Sequence, residues 1–173
     1  MKVYLIRHTA VDVPPGMCYG QTNVPLKPSF EEEASVVKSN IKEIKADAIF
    51  SSPLSRCRKL ARFCGFEDVM LLDDRLKELH FGDWETHNWD DIDMSIWETD
   101  WVNPPAPNGE SFTQMFQRVS AFFDELKVEP HDTVIIFTHG GVISCARVYF
   151  EEADIQKTFD LMPQYGEIVE FEL

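Results

Sequence analysis

The chain has 173 residues, with 30 acidic against 16 basic side chains and a formal net charge of −14, a surface that repels DNA and RNA. Its length suits one domain with a real core, and its 44% apolar content is ordinary for a globular protein. No run approaches a membrane span, and Arg7 interrupts the opening apolar segment too early for a signal peptide, so cytoplasmic residence without membrane association is expected.

Strand and helix patterns alternate along the chain. Lys2–Arg7 reads as a buried strand. Ser29-Phe30-Glu31-Glu32 opens a helix as a capping box with an acidic first turn, running to about Lys45. Asp47–Ser51 is a second strand, Leu54–Phe63 a helix with Gly65 as its stop, and Val69–Leu72 a third strand. From Phe81 to Pro107 no long element fits. That stretch carries Trp84, Trp89, Trp97 and Trp101 and reads as a lid insertion with short helices. Phe112, Met115, Phe116, Val119, Phe123 and Leu126 recur at helical spacing, giving an amphipathic helix over Glu110–Lys127. Thr133–Thr138 is a strand, Gly141–Phe150 a helix, and Ile168–Leu173 alternates like an edge strand. The alternation predicts a single α/β domain over residues 1–173, a three-layer sandwich on a mostly parallel sheet.

Ligands in such sheets bind beyond the carboxyl ends of the strands. Five chemistry-bearing residues fall there: Arg7-His8 after the first strand, Arg56 in Ser52-Pro53-Leu54-Ser55-Arg56, Glu78 ahead of Phe81-Gly82-Asp83-Trp84-Glu85, and His139 in His139-Gly140-Gly141. In this order the marks resemble the histidine phosphatase superfamily, its phosphoglycerate mutase-like branch. Tyr19-Gly20-Gln21-Thr22-Asn23-Val24-Pro25-Leu26 and Asn108-Gly109-Glu110-Ser111 make the chain most similar, within it, to the α-ribazole phosphatases of cobalamin assembly. Two positions depart from the family pattern: Thr9 and Thr86 stand where glycine is usual.

The chemistry expected of these residues is phosphomonoester hydrolysis without cofactor. Arg7 and Arg56 supply planar donors for non-bridging oxygens. A neutral His8, its second nitrogen fixed by a backbone carbonyl, attacks phosphorus to form a phosphohistidine. His139 is most useful protonated, as a further donor. Glu78 protonates the leaving oxygen and then activates the hydrolytic water. The resemblance implies phosphate or substrate contacts from Tyr19, Gly20, Gln21, Thr22 and the backbone of Gly140. The hydroxyl of Thr9 is placed to donate to phosphate or to narrow the entrance. Trp84, Trp101 and Tyr19 are candidates for stacking a flat base. The net charge opposes an anionic substrate, but exposed charges are screened beyond about 8–10 Å, so the local arginines should prevail.

No metal is expected, since His80, His87, Asp90, Asp91 and Asp93 match no ligand spacing. Cys57 and Cys64 lie about 10 Å apart on one helix, too far to bridge, and read as buried thiols, while Cys18 in the loop near the site is a candidate reactive one. The favoured substrate is a small phosphate ester, α-ribazole 5′-phosphate above all. A broad-specificity small-molecule phosphatase, a phosphoglycerate mutase-like enzyme, a phosphohistidine phosphatase and an inactive phosphate-binding module are the alternatives. A monomer or homodimer is expected.

Overall fold

The structure, a computed structural model, describes residues 1–173, the side chains of Phe159 and Leu161 excepted. Five strands, β1 (Lys2–Arg7), β2 (Ala48–Ser51), β3 (Met70–Leu72), β4 (Thr133–Thr138) and β5 (Ile168–Glu172), form one sheet in the order β3-β2-β4-β1-β5. All neighbours are parallel except β5, which pairs antiparallel with β1 at the edge. Helices α1 (Phe30–Ile41) and α2 (Ser55–Cys64) cover one face; α3 (Phe112–Leu126) and α4 (Gly140–Glu151) cover the other.

Strand alternation sorts the central strands between two cores. Val3, Leu5, Val134 and Ile136 pack with α3 and α4, while Ile6, Ile135 and Phe137 pack with α1 and α2. With both faces covered, β1 and β4 are apolar throughout their interiors, as buried parallel strands must be.

The ends of the elements differ from expectation in ways that have local causes. The capping box of α1 does not form. Ser29 Oγ donates instead to Glu33 Oε1 at 2.6 Å, and the other Glu33 oxygen accepts the Ala10 N–H at 2.8 Å, tying the helix to the chain just past β1. The helix stops at Ile41, short of Lys45, where an Ile44 N–H to Ile41 carbonyl bond of 3.0 Å turns the chain toward β2. A reciprocal capping box does open α3, between Ser111 and Gln114. Gly65 ends α2 at φ +100°, a left-handed stop that glycine adopts without strain.

Between Phe81 and Pro107 the chain forms three short 3₁₀ turns, Gly82–Trp84, Trp89–Asp91 and Ser95–Trp97. They enclose a small core of Cys18, Trp84 and Ala106. A further 3₁₀ stretch, Ile155–Leu161, had no counterpart in the sequence reading. After it the chain returns to the site, where the Gly166 N–H reaches the Arg7 and His8 carbonyls, each at 3.2 Å.

Candidate active site

The parallel order β2-β4-β1 aligns three strand ends on one edge, and backbone bonds extend the ladder past them. His8 N–H donates to the Thr138 carbonyl at 3.1 Å and Ser52 N–H to the Phe137 carbonyl at 2.9 Å. The two histidines therefore meet, ring centroids 5.3 Å apart at 64°. His8 Nδ1 lies 2.8 Å from the Thr9 carbonyl oxygen. A carbonyl only accepts, so Nδ1 carries the proton and Nε2 presents its lone pair. Arg56 Nε donates to that nitrogen at 3.2 Å. His139 Nε2 pairs with Ser52 Oγ at 2.8 Å, and the Cys57 sulfur stands 3.4 Å from the same nitrogen.

Arg56 is fully buried, yet its remaining donors meet only carbonyls, Gly20 at 2.6 Å and Thr22 at 3.1 Å. Arg7 donates to the Pro163 carbonyl at 2.5 Å beneath the Tyr165 ring, 4.1 Å away, and its Nε is buried without a partner among the described residues. Among the described residues, no ion pair engages either guanidinium. A buried guanidinium at Arg56 beside a half-buried one at Arg7, with no ion pair to either among the described residues, is costly unless an anion joins them.

These cations also set the protonation of the imidazoles. Burial, then Arg56 and Arg7, push His8 well below the ordinary histidine range, and the Thr9 carbonyl only partly opposes them. These surroundings favour the neutral ring. His139 is held down in the same way, by burial first and then by Arg56, His8, Arg118 and Arg7. Without a phosphoryl group the surroundings thus disfavour the protonated form expected of His139 as a donor.

Glu78 faces the histidines from the segment after β3. Its carboxylate accepts the Leu79 N–H at 3.0 Å and the Gly141 N–H at 3.3 Å. A Cβ at position 141 would lie 2.2 Å from Glu78 Oε1, so any side chain there would push the carboxylate from this place. Arg118 on α3 holds the segment from behind. It donates to the carbonyls of Arg75 (2.6 Å), Lys77 (2.8 Å) and Glu78 (3.0 Å) while paired with Glu110 at 2.5 Å.

The Tyr19–Thr22 loop is tied into the protein by its own hydrogen bonds. Glu85 accepts the backbone N–H groups of Gln21 (2.9 Å) and Thr22 (2.7 Å) and the Thr22 hydroxyl, and Gln21 Nε2 donates to the Glu78 carbonyl at 3.1 Å. Gly20 and Thr22 present their carbonyls to Arg56. Tyr19 does line the cavity, with its hydroxyl 2.7 Å from that of Tyr165. The cavity, about 260 Å³, is walled by Arg7, His8, Glu78 and Gly141 on its polar side and by Phe81 and Trp89 on its apolar side. Gly140 opens α4 beside Arg7, its position for a Cβ 3.4 Å from the Arg7 guanidinium carbon.

Three further expectations change. Trp84 is buried in the core of the insertion, so it has no face for a base. Cys18 is buried there too, its thiol pushed up to about 12 by burial and by Glu85, which makes it unreactive. Thr9 is fully buried, its hydroxyl unpartnered among the described residues, so it does not form the entrance. Among the described residues no group of three or more His, Cys, Asp or Glu side chains is arranged to hold a metal ion. The sequence reading missed Ser52, Glu85, Arg118, Met162, Pro163 and Tyr165 as parts of the site. Ser52 and Glu85 lay inside recognised motifs; the others carry no local signature.

Comparison with known proteins agrees with this geometry. The family profile described as "Histidine phosphatase superfamily (branch 1)" matches residues 3–173. The "Adenosylcobalamin/alpha-ribazole phosphatase" of Salmonella typhimurium is 29% identical over 155 residues, 83% of this chain and 76% of that one. "Probable phosphoglycerate mutase GpmB" of Escherichia coli O1:K1 is 30% identical over 157 residues, covering 84% and 72%. The crystal structure of the α-ribazole phosphatase from Shigella flexneri superposes with a TM-score of 0.89 at 24% identity, covering 100% of this chain and 91% of that one, a likeness of fold.

Proposed function

The chain belongs to the histidine phosphatase superfamily, branch 1, and is a phosphoric monoester hydrolase; from that premise we propose that it hydrolyses α-ribazole 5′-phosphate through a phosphohistidine on His8. The buried, unpaired guanidinium of Arg56 against His8 Nε2 carries this reading, because a phosphoryl group is the anion that both residues suit. In the proposed sequence, Arg7 and Arg56 bind the non-bridging oxygens. The Nε2 lone pair of His8 forms the N–P bond as the P–O bond to the leaving group breaks, and Glu78 protonates the departing oxygen. Water, deprotonated by Glu78, then attacks the phosphohistidine; the N–P bond breaks and inorganic phosphate leaves. A phosphoryl dianion beside His139 opposes the cations that hold that ring neutral, so protonation of His139 accompanies substrate binding.

The mutase-like reading is disfavoured by the walls of the cavity. Arg7 is the one Lys or Arg among them, leaving no cation for the second anionic group of a phosphoglycerate. A substrate confined to such a site is small and soluble, in keeping with a cytoplasmic enzyme; among the described residues no helix is long and apolar enough to cross a membrane.

Two experiments test the reading. Brief turnover of radiolabelled substrate should leave an acid-labile, alkali-stable label on the protein, absent from His8→Ala, whose rate should drop on the order of 10³-fold or more. Normal activity in His8→Ala would remove the mechanism. Steady-state rates across α-ribazole phosphate, nucleoside monophosphates, sugar phosphates and phosphoglycerates test the substrate; kcat/KM highest for a phosphoglycerate would reverse the preference.

A further inference from the structure

A second cavity, about 540 Å³, adjoins the catalytic one and shares Phe81 and Trp89 with it. Its other walls are Met94, Trp97, Glu98 and Trp101. The aromatic rings are fixed before any ligand arrives. Phe81 meets Trp89 edge-on at 5.2 Å, Trp97 stands edge-on to buried Trp84 at 4.6 Å, and Trp101 packs on Phe112 at 5.3 Å. The indole N–H of Trp97 is satisfied by the Pro104 carbonyl at 2.8 Å, which leaves its ring as an apolar wall. Glu98 is the one charged residue lining this space, and it is anionic. An acidic leaving group would lose hydration here and meet like charge. A flat ring of neutral or weakly basic character gains aromatic contact and no repulsion.

Resting on the phosphatase reading above, we propose that this cavity is the leaving-group subsite and that Trp89, Trp97 and Trp101 select esters whose alcohol carries a planar heteroaromatic ring. One molecule serves both cavities: its phosphate lies against Arg7 and His8, and its ring passes Phe81 and Trp89 into the aromatic space. Stacking on tryptophan, rather than hydrogen-bond readout, gives selectivity for ring over no ring with tolerance among rings.

The test compares benzimidazole riboside 5′-phosphate with ribose 5-phosphate, which share a primary-alcohol leaving group and differ in the ring. The wild-type kcat/KM ratio should favour the riboside ester roughly ten- to a hundredfold, the worth of one stacked base. Trp101→Ala should reduce that ratio about tenfold. Met94→Glu should do the same, and because Met94 is exposed this variant is expected to fold. A wild-type ratio near one, or a ratio unchanged in both variants, overturns the subsite. If neither ester is hydrolysed, the phosphatase reading fails on its own account, and the subsite is then decided by titrating the unphosphorylated benzimidazole riboside against tryptophan fluorescence. Saturable quenching that weakens about tenfold in Met94→Glu supports it; no saturable quenching refutes it.

Discussion

Glu78 and Thr86 show how much a single side chain's setting decides. Glu78 is held by two backbone N–H groups on the cavity wall, and a proton-donating role predicts that its loss hurts most when the leaving oxygen is basic. In Glu78→Gln the phosphorylation burst with an alkyl phosphate should slow roughly 10²–10⁴-fold, while p-nitrophenyl phosphate, whose leaving group needs no proton, should be slowed far less. Equal burst losses for both esters would reduce Glu78 to a positioning residue. Thr86 occupies the left-handed region at φ +71° on an exposed turn, a conformation that β-branched residues adopt only at a cost. Its N–H donates to the Cys18 carbonyl at 2.8 Å, a bond that glycine keeps. Relief of strain, less the extra unfolded-state entropy of glycine, should make Thr86→Gly more stable by about 0.5–1 kcal/mol. The rise in Tm should be a few degrees by calorimetry, and an unchanged or lower Tm would show that the turn is unstrained.

At the level of elements, the sequence was most readable where chemistry sits directly on a buried strand end. The bounds of β1 and β4 came out as read, and Arg7, His8, Arg56, Glu78 and His139 converge because parallel pairing brings their elements together. What escaped depends on contacts distant in sequence. Ser29 had the pattern of a capping box with Glu32, but its hydroxyl donates instead to Glu33, whose other oxygen accepts the Ala10 N–H from another part of the chain. Pro163, which takes the Arg7 donor, is 156 positions away, and no periodicity marks it. Arg118 was hidden on the polar side of the α3 stripe, although it braces the backbone that presents Glu78. Arg118→Lys keeps the charge but cannot fork between three carbonyls. Misplacing Glu78 in this way should lower kcat for an alkyl phosphate roughly 10²-fold, with KM changed little and the p-nitrophenyl phosphate burst largely spared, as in Glu78→Gln. A rise in KM with kcat intact would instead tie Arg118 to substrate binding.

For the whole molecule, the site has a thermodynamic cost that pH makes visible. Folding buries His8 and His139 as neutral rings, both held well below the ordinary histidine pKa by desolvation and then by nearby cations. In the unfolded chain the same rings protonate near about 6.5. Above that value both states leave the rings neutral, and the full stability is present. Below it the unfolded chain binds protons that the folded one refuses, so stability falls as pH drops, by up to about 1.4 kcal/mol per pH unit for each histidine. Depressed carboxylates such as Asp73 and Glu85 act in a lower window, below the ordinary carboxylate range, so the loss between roughly pH 6.5 and 5 belongs to this pair. Urea midpoints measured from pH 7.5 to 5 should therefore decline in wild type and decline less in His8→Asn, which removes one of the two suppressed protonations. A flat profile, or a slope unaltered by His8→Asn, would mean that these imidazoles accept protons inside the folded site. A ring that titrates near the ordinary histidine value of about 6.5 inside the folded site is still mostly neutral at pH 7 and keeps its lone pair, so that result would overturn this account of stability and leave the role of His8 to be decided by the labelling experiment.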